Sequence, residues 1–192
     1  GKVLSLSGSI NYTGAALLSG ISTLKAGAGI LKQIFPLSLK QSFSQLKEAI
    51  DFPIDDKGLG YLTSSAETQI SLSYDWPDCF LLGPGISKNA ESIDLMIVVL
   101  SNYKGSCVID ATGLSAINFK RDKFSKIPNK SIITPHYTEL ARVLNISKKD
   151  LIDDVIRIVK DLSVHLEDRI LILKGPNTII VDGFNNIYIL EK

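Results

Sequence analysis

Charged and polar side chains able to bind or transfer groups stand directly behind short apolar runs in this chain. Asp110 follows Cys107-Val108-Ile109. His136 follows Ile132-Ile133-Thr134-Pro135, with Glu139 three positions later. Lys174 follows Ile170-Leu171-Ile172-Leu173 and opens Lys174-Gly175-Pro176-Asn177-Thr178. If the apolar runs are parallel strands, these residues share the rim where ligands bind, beyond the carboxyl ends of the strands. The segment 174–178 combines a cation, uncovered backbone and short polar side chains, a set that suits a nucleotide phosphate or ribose. An unliganded Gly-Pro-Asn turn explains the same residues more plainly. Asp110 can cap a following helix, the commoner role, or hold a hydroxyl or a hydrated metal. A lone histidine is usually structural, yet His136, at a strand end after a proline, is a better ligand candidate than His165. The latter stands near the end of a long helical stretch, with Glu167 and Asp168 behind it, and reads as a surface or helix-terminal residue.

Two further segments offer backbone rather than side chains. Gly8-Ser9-Ile10-Asn11-Tyr12-Thr13-Gly14-Ala15-Ala16 leads from the first apolar run into a helix whose free N–H groups can meet an anion. Small residues there also serve close packing of a helix on a sheet. In Gly83-Pro84-Gly85 two glycines bracket a fixed φ and leave N–H groups uncovered, which fits a tight turn and a ligand lying against backbone equally well. Ala26-Gly27-Ala28-Gly29 reads as a helix C-terminus turning into the next strand. The patterns GxxxxGKS, GxxxxGKT and GxGxxG are absent, as is any Cys/His cluster with zinc spacing, which sets aside a P-loop ATPase, a standard Rossmann dehydrogenase and a zinc enzyme.

The elements that must position these residues follow from periodicity. The runs 3–6, 79–82, 107–109, 132–133 and 170–173 are short, rich in β-branched residues and bounded by Gly, Pro, Asp or Asn, so they read as buried strands. Helical spacing is expected over 15–25, 90–100, 138–144 and 151–166, the last with one apolar face made by Leu151, Ile152, Val155, Ile156, Val159 and Leu162. Alternation of strand and helix gives an α/β fold, a mostly parallel central sheet with helices on both faces. The segments 178–181 and 187–190, joined by Asp182-Gly183-Phe184-Asn185-Asn186, form an antiparallel hairpin near the C-terminus. Residues 36–76 are less regular, with one helix expected near 43–50.

Composition limits the partners. With 192 residues and 45% hydrophobic side chains the chain can build a continuous core. Its 21 basic and 20 acidic residues nearly cancel, giving no argument for nucleic acid or an anionic membrane. The longest apolar stretches fall far short of the ~20 residues of a membrane span, and the N-terminus enters directly on a strand rather than a signal peptide. Cys79 and Cys107 stand in or beside apolar runs and read as two buried free thiols in a cytoplasmic protein.

Five segments in order, GSINYTGAALLSGISTLKAGAGI, LLGPGIS, VIDATGLSAI, IITPHYTELARVL and LILKGPNTIIVDG, resemble the ADP/ATP-dependent NAD(P)H-hydrate dehydratases of the ribokinase-like superfamily. The resemblance runs over the whole chain and implies one ribokinase-like domain over residues 1–192. It implies an ADP- or ATP-dependent lyase that dehydrates the S-epimer of NAD(P)H hydrate and so repairs the nicotinamide nucleotide. The ring hydroxyl would be phosphorylated and phosphate expelled with push from the ring nitrogen, while Mg²⁺ shields the transferred group. Carried over by position, Ala15, Gly85 and His136 would line the hydrate pocket, and Lys174, Gly175, Pro176, Asn177 and Thr178 would hold ADP or ATP. Asp110 and Glu139 would organise the site through hydrogen bonds or metal-bound water. The family continues into a Gly-Thr-Gly-Asp segment that supplies an anion hole and the catalytic base. The chain ends at Lys192 before that motif, so the domain is expected to be incomplete, without a catalytic residue of its own and nearly inactive, and its start also resembles an internal point of the family domain. A homo-oligomer and a fused or separate NAD(P)H-hydrate epimerase are further implications. The alternatives are a small-molecule kinase of the same superfamily and a noncatalytic adenylate-binding module.

Overall fold

A computed structural model describes residues 1–117 and 127–191. The chain runs β1 (Lys2–Leu6), α1 (Thr13–Lys25), β2 (Ile30–Pro36), α2 (Lys40–Phe43), β3 (Ile50–Ile54), α3 (Glu67–Ser71), β4 (Cys79–Leu82), α4 (Ala90–Asn102), β5 (Cys107–Ile109), β6 (Ile132–Ile133), α5 (Tyr137–Leu144), α6 (Lys148–Asp153), α7 (Val155–Ser163), β7 (Ile170–Leu173), β8 (Thr178–Asp182) and β9 (Ile187–Leu190). One sheet of order β3-β2-β1-β4-β5-β6-β7-β8-β9 joins them. β1 to β7 pair in parallel, and β8 and β9 run antiparallel to their neighbours, as the hairpin signal predicts.

The strands hold because both faces are covered. Leu4, Leu6, Phe80, Leu82, Ile109, Ile133, Leu171 and Leu173 are fully buried in one apolar cluster that takes in Leu95, Met96 and Val99 of α4, Leu140 of α5 and Val159 of α7. On β2, consecutive residues point to opposite faces: Ile34 joins that cluster, while Phe35 joins a second one with Ala16, Leu39 and Phe43. Phe35 and Phe43 stack with ring centroids 4.2 Å apart. Helices therefore lie on both sides of the sheet, as expected from the alternation.

Three expectations are corrected. The helix near 43–50 is absent: α2 ends at Phe43, whose ring is committed to Phe35, and residues 43–49 continue as successive tight turns, with Leu46 N–H donating to Phe43 O and Ala49 N–H to Leu46 O. β3 follows instead, tolerating Pro53 because an edge strand has a side that needs no ladder donor. The single helix over 151–166 is two, α6 and α7, separated at Asp154 (φ −138°, ψ 37°). That break turns Ile152 and Ile156, expected on the apolar face, to half-exposed positions while Leu151 and Val159 stay buried. Both cysteines are free, but Cys79 is only partly buried beside the buried Cys107; burial pushes both thiols above their ordinary pKa.

The loop after β3 is tied to the rest of the rim by a buried carboxylate. Asp56 accepts hydrogen bonds from the Ser38 N–H (3.0 Å), the Ser38 hydroxyl (2.7 Å) and the Gly60 N–H (2.6 Å). The Gly60 carbonyl in turn accepts from the Ile10 N–H at 2.8 Å, in the loop after β1. Burial pushes the Asp56 carboxyl up, but the donors from Ser38 and Gly60 outweigh it and hold the group below the usual carboxylate range. A depressed folded-state pKa adds stability above the unfolded value, ~3.9, which is lost as pH falls through the folded one. Asp56→Asn turns an acceptor into a donor facing donors, and is expected to lower stability at pH 7 by about 1 kcal/mol. The gap to wild type should hold down to about pH 4 and narrow as urea midpoints are followed below it; a gap independent of pH would show that the ionised form has no part in it.

Candidate active site

The order of the sheet reverses direction between β1 and β4: β1 continues through α1 to β2 on one side, and β4 through α4 to β5 on the other. Loops that depart in opposite directions open a crevice at that point. Its walls are the loops after β1 and β4, laced together by Gly8 N–H to Pro84 O (2.9 Å), Ser9 hydroxyl to Gly85 O (2.8 Å) and Gly83 N–H to Leu6 O (3.2 Å). Gly85 has φ +70°, and a Cβ there would stand 2.5 Å from Tyr12 O and 3.2 Å from the Ala15 Cβ. The structure thus packs Gly85 directly against Ala15.

Further along the rim the ladder continues past the strand ends. Asp110 N–H donates to Leu82 O (3.0 Å), Thr134 N–H to Ile109 O (3.1 Å) and Lys174 N–H to Pro135 O (2.8 Å). These bonds align the residues after β4, β5, β6 and β7 in one row. Asp110 begins a 3-10 turn over Ala111–Ala116 yet makes no side-chain cap there, so its commoner role is not the one it plays. Its Oδ1 instead takes the Lys174 Nζ at 2.6 Å, a bridge over the end of β6, with the side chains 30% and 44% exposed. The two residues singled out as nucleotide contact and site organiser are therefore direct partners.

His136 and Glu139 are also partners, through the backbone. The His136 Nδ1 accepts from the Glu139 N–H (3.2 Å) and the Glu139 carboxylate accepts from the His136 N–H (2.9 Å), a reciprocal cap on α5. Since Nδ1 accepts, this arrangement puts the proton of the neutral ring on Nε2, which lies 3.4 Å from the other Glu139 oxygen. The plain structural role is present: the cap fixes the ring, and the imidazole remains half-exposed. His165 is exposed beyond the end of α7.

A cavity of about 460 Å³ opens where these pieces meet, walled by His136, Tyr137 and Thr138 from the start of α5 and by Lys174 and Pro176 after β7. Lys148 and Ile152 of α6 complete it. Among the described residues no carboxylate lines it. Gly175 is required here by space: a Cβ would fall 2.4 Å from the Tyr137 ring, so the ring lies against bare backbone. Asn177 is exposed, while Thr178 already belongs to β8, paired with Leu190, and is only half-exposed. His136, grouped by resemblance with Ala15 and Gly85, lines the Lys174 cavity. β4 and β6 are two strand spacings apart, about 10 Å. Tyr137, Thr138, Lys148 and Ile152 escaped the sequence reading. The first two were signalled only by adjacency to His136, and the others by nothing local. Among the described residues no group of three or more His, Cys, Asp or Glu side chains is placed to hold a metal, and no helix is long and apolar enough to cross a membrane.

The family described as NAD(P)H-hydrate dehydratase matches residues 3–192. A bifunctional NAD(P)H-hydrate repair enzyme of Dictyoglomus turgidum is 31% identical, over 98% of this chain and 37% of its own length. An ADP-dependent (S)-NAD(P)H-hydrate dehydratase of Streptococcus pneumoniae is 26% identical, over 93% of this chain and 58% of its own. Among solved structures, an ADP/ATP-dependent NAD(P)H-hydrate dehydratase of Bacillus subtilis co-crystallised with ATP and Mg²⁺ superposes with a TM-score of 0.74 at 21% identity, covering 99% of this chain and 63% of that one. A ribokinase-like superfamily protein of Enterococcus faecalis gives 0.70 at 20% identity, over 95% of this chain and 60% of that one. The fold is ribokinase-like, and the chain spans between about a third and two thirds of the length of these relatives. The rim, its glycine-walled crevice and the matched family agree: the chain belongs to the NAD(P)H-hydrate dehydratase family.

Proposed function

We propose that this chain provides the nucleotide and hydrate sites of an ADP- or ATP-dependent dehydratase that returns the S-epimer of NAD(P)H hydrate to NAD(P)H. The observation that carries the reading is Lys174, held by Asp110 at 2.6 Å, on the wall of a cavity whose described lining is cationic and apolar. Such a site favours a polyanion with a flat apolar part, the chemistry of an adenine nucleotide. The relatives' names supply the substrate: the Streptococcus pneumoniae protein is an ADP-dependent and the Pediculus humanus protein an ATP-dependent (S)-NAD(P)H-hydrate dehydratase.

In this reading Asp110 holds the Lys174 ammonium at the rim, so that the cation is oriented before a phosphate arrives. Gly175, Pro176, Asn177 and Thr178 shape the wall beside it, and the bare Gly175 backbone admits the Tyr137 ring. Ala15 and Gly85 flank the crevice that receives the hydrated nicotinamide. His136, held by Glu139, stands between the two with an Nε2 proton to donate. Bound ATP or ADP would supply the phosphoryl group that makes the ring hydroxyl a good leaving group. Mg²⁺ would come as a companion of the nucleotide phosphates, since the described residues offer no cage of three ligands. An epimerase partner is supported by relatives that are bifunctional repair enzymes. A cytoplasmic setting is supported by two unpaired cysteines, and self-association by the exposed Leu18 and Ile21 on α1.

The test mixes NADH hydrate, Mg²⁺ and ATP or ADP with the protein encoded by the complete reading frame, and follows phosphate release together with return of the reduced-nicotinamide absorbance. Both should appear in step. A phosphorylated product that accumulates instead would make the protein a kinase, and absence of both signals with adenylate still bound would leave a binding module.

A further inference from the structure

Lys148 opens α6 and lines the Lys174 cavity from the opposite side of the chain's path, 26 positions away in sequence. Its side chain is exposed, and among the described residues no carboxylate lies within ion-pair distance of it. The adjacent acids are occupied or point elsewhere: Asp110 is taken by Lys174, Glu139 by the α5 cap, and Asp150 lies within α6, away from the cavity lining. Four residues on, one helical turn, Ile152 also lines the cavity and stays half-exposed, an aliphatic side chain left open beside Tyr137 and Pro176. The cavity thus has an apolar wall and two lysines, of which one is already neutralised by its own carboxylate and the other is not.

We propose that Lys148 is a second cationic contact for the polyphosphate of the nucleotide, and that it sets the preference for nucleotides carrying more than one phosphate. This inference rests on the nucleotide reading of the same cavity. A ligand that met Lys174 alone would find a cation whose field is partly cancelled by Asp110. A polyphosphate reaching Lys148 meets an uncompensated charge, so each added phosphate strengthens attraction. Ile152, Tyr137 and Pro176 provide area for the base without discriminating among phosphates.

Calorimetric titration of the protein encoded by the complete reading frame with adenosine, AMP, ADP and ATP, at low and at physiological salt, tests this. Lys148→Met is expected to weaken ADP and ATP roughly tenfold at low salt, with a shallower salt dependence, and to leave adenosine unchanged. Lys148→Arg should keep most of the affinity, and Lys149→Met, altering a neighbour outside the cavity, should match wild type. Wild-type affinity for ADP and ATP in Lys148→Met, while Lys174→Met loses it, would overturn the proposal and keep the nucleotide site. An equal loss for adenosine would also overturn it, by showing a packing role. No adenylate binding by that wild-type protein would bring down both the proposal and the reading beneath it.

Discussion

Gly83→Ala is expected to be among the most damaging single changes in the chain. Gly83 has φ +112°, and a Cβ there would sit 2.0 Å from Asp110 O, 2.5 Å from Gly113 N and 2.9 Å from the Gly113 Cα. All three are backbone, which cannot swing aside as a side-chain end can. The strain of a left-handed φ on alanine, ~1–3 kcal/mol, adds to overpacking of ~1–3 kcal/mol, so a loss of about 4 kcal/mol is expected. For a chain of this size that lowers Tm by roughly 10 °C. The consequence reaches the site, because the atoms displaced belong to Asp110 and to the turn that carries it. Urea and thermal unfolding measure the loss. A shift under about 1 kcal/mol would mean that the end of β5 can retreat from β4 at little cost, and the rim would then be less rigid than its hydrogen bonds imply.

Lys174→Met separates binding from stability. The Lys174–Asp110 bridge is partly exposed, so its loss is expected to change unfolding free energy by no more than about 1 kcal/mol. Its effect on adenylate binding should be larger, about 1.5–3 kcal/mol for a charge-assisted phosphate contact, or roughly 10- to 100-fold in Kd. Lys174→Arg should recover part of it, since the guanidinium keeps the charge but not the compact fit. Asp110→Asn is a useful companion. If Asp110 mainly orients the lysine, this variant weakens binding despite removing a negative charge from the rim. If it merely repels phosphate, binding tightens. Calorimetry with ADP on variants whose unfolding curves match wild type distinguishes the two roles.

These expectations draw on two kinds of information in the chain. Strands β4, β5, β6 and β7 and helices α1, α4 and α5 were legible because their signals are local: short β-branched runs ended by Gly, Pro or Asp, and apolar residues at helical spacing. The rim residues were legible for the same reason, since in a parallel sheet the residue after each strand goes to one edge. Ala15, Gly85, Asp110, His136, Glu139 and the segment 174–178 were all found this way or by the ordered motifs that give the family resemblance. β2 and β3 were harder to read, because Lys32 and Gln33 interrupt one apolar run and Asp51 and Pro53 the other. Only strand pairing, of β2 with β1 and of β3 with β2, explains them.

Local pattern along the chain was enough to tell which residues reach the rim, and the assembled sheet chose which of them meet. Asp110 and Lys174 are 64 positions apart, and they touch because β5, β6 and β7 lie side by side, an order set by long-range strand pairing that no local window contains. His136 and Glu139 were close enough in sequence to be linked beforehand, but their reciprocal cap depends on where α5 begins. Lys148 and Ile152 line the cavity from α6, a helix that begins before residue 151 and ends at Asp154, where a single helix over 151–166 is expected from the local pattern. Local physics chooses elements within a few residues; the neighbours of a side chain are chosen by burial summed over the whole sheet, and that sum exists only in the folded chain.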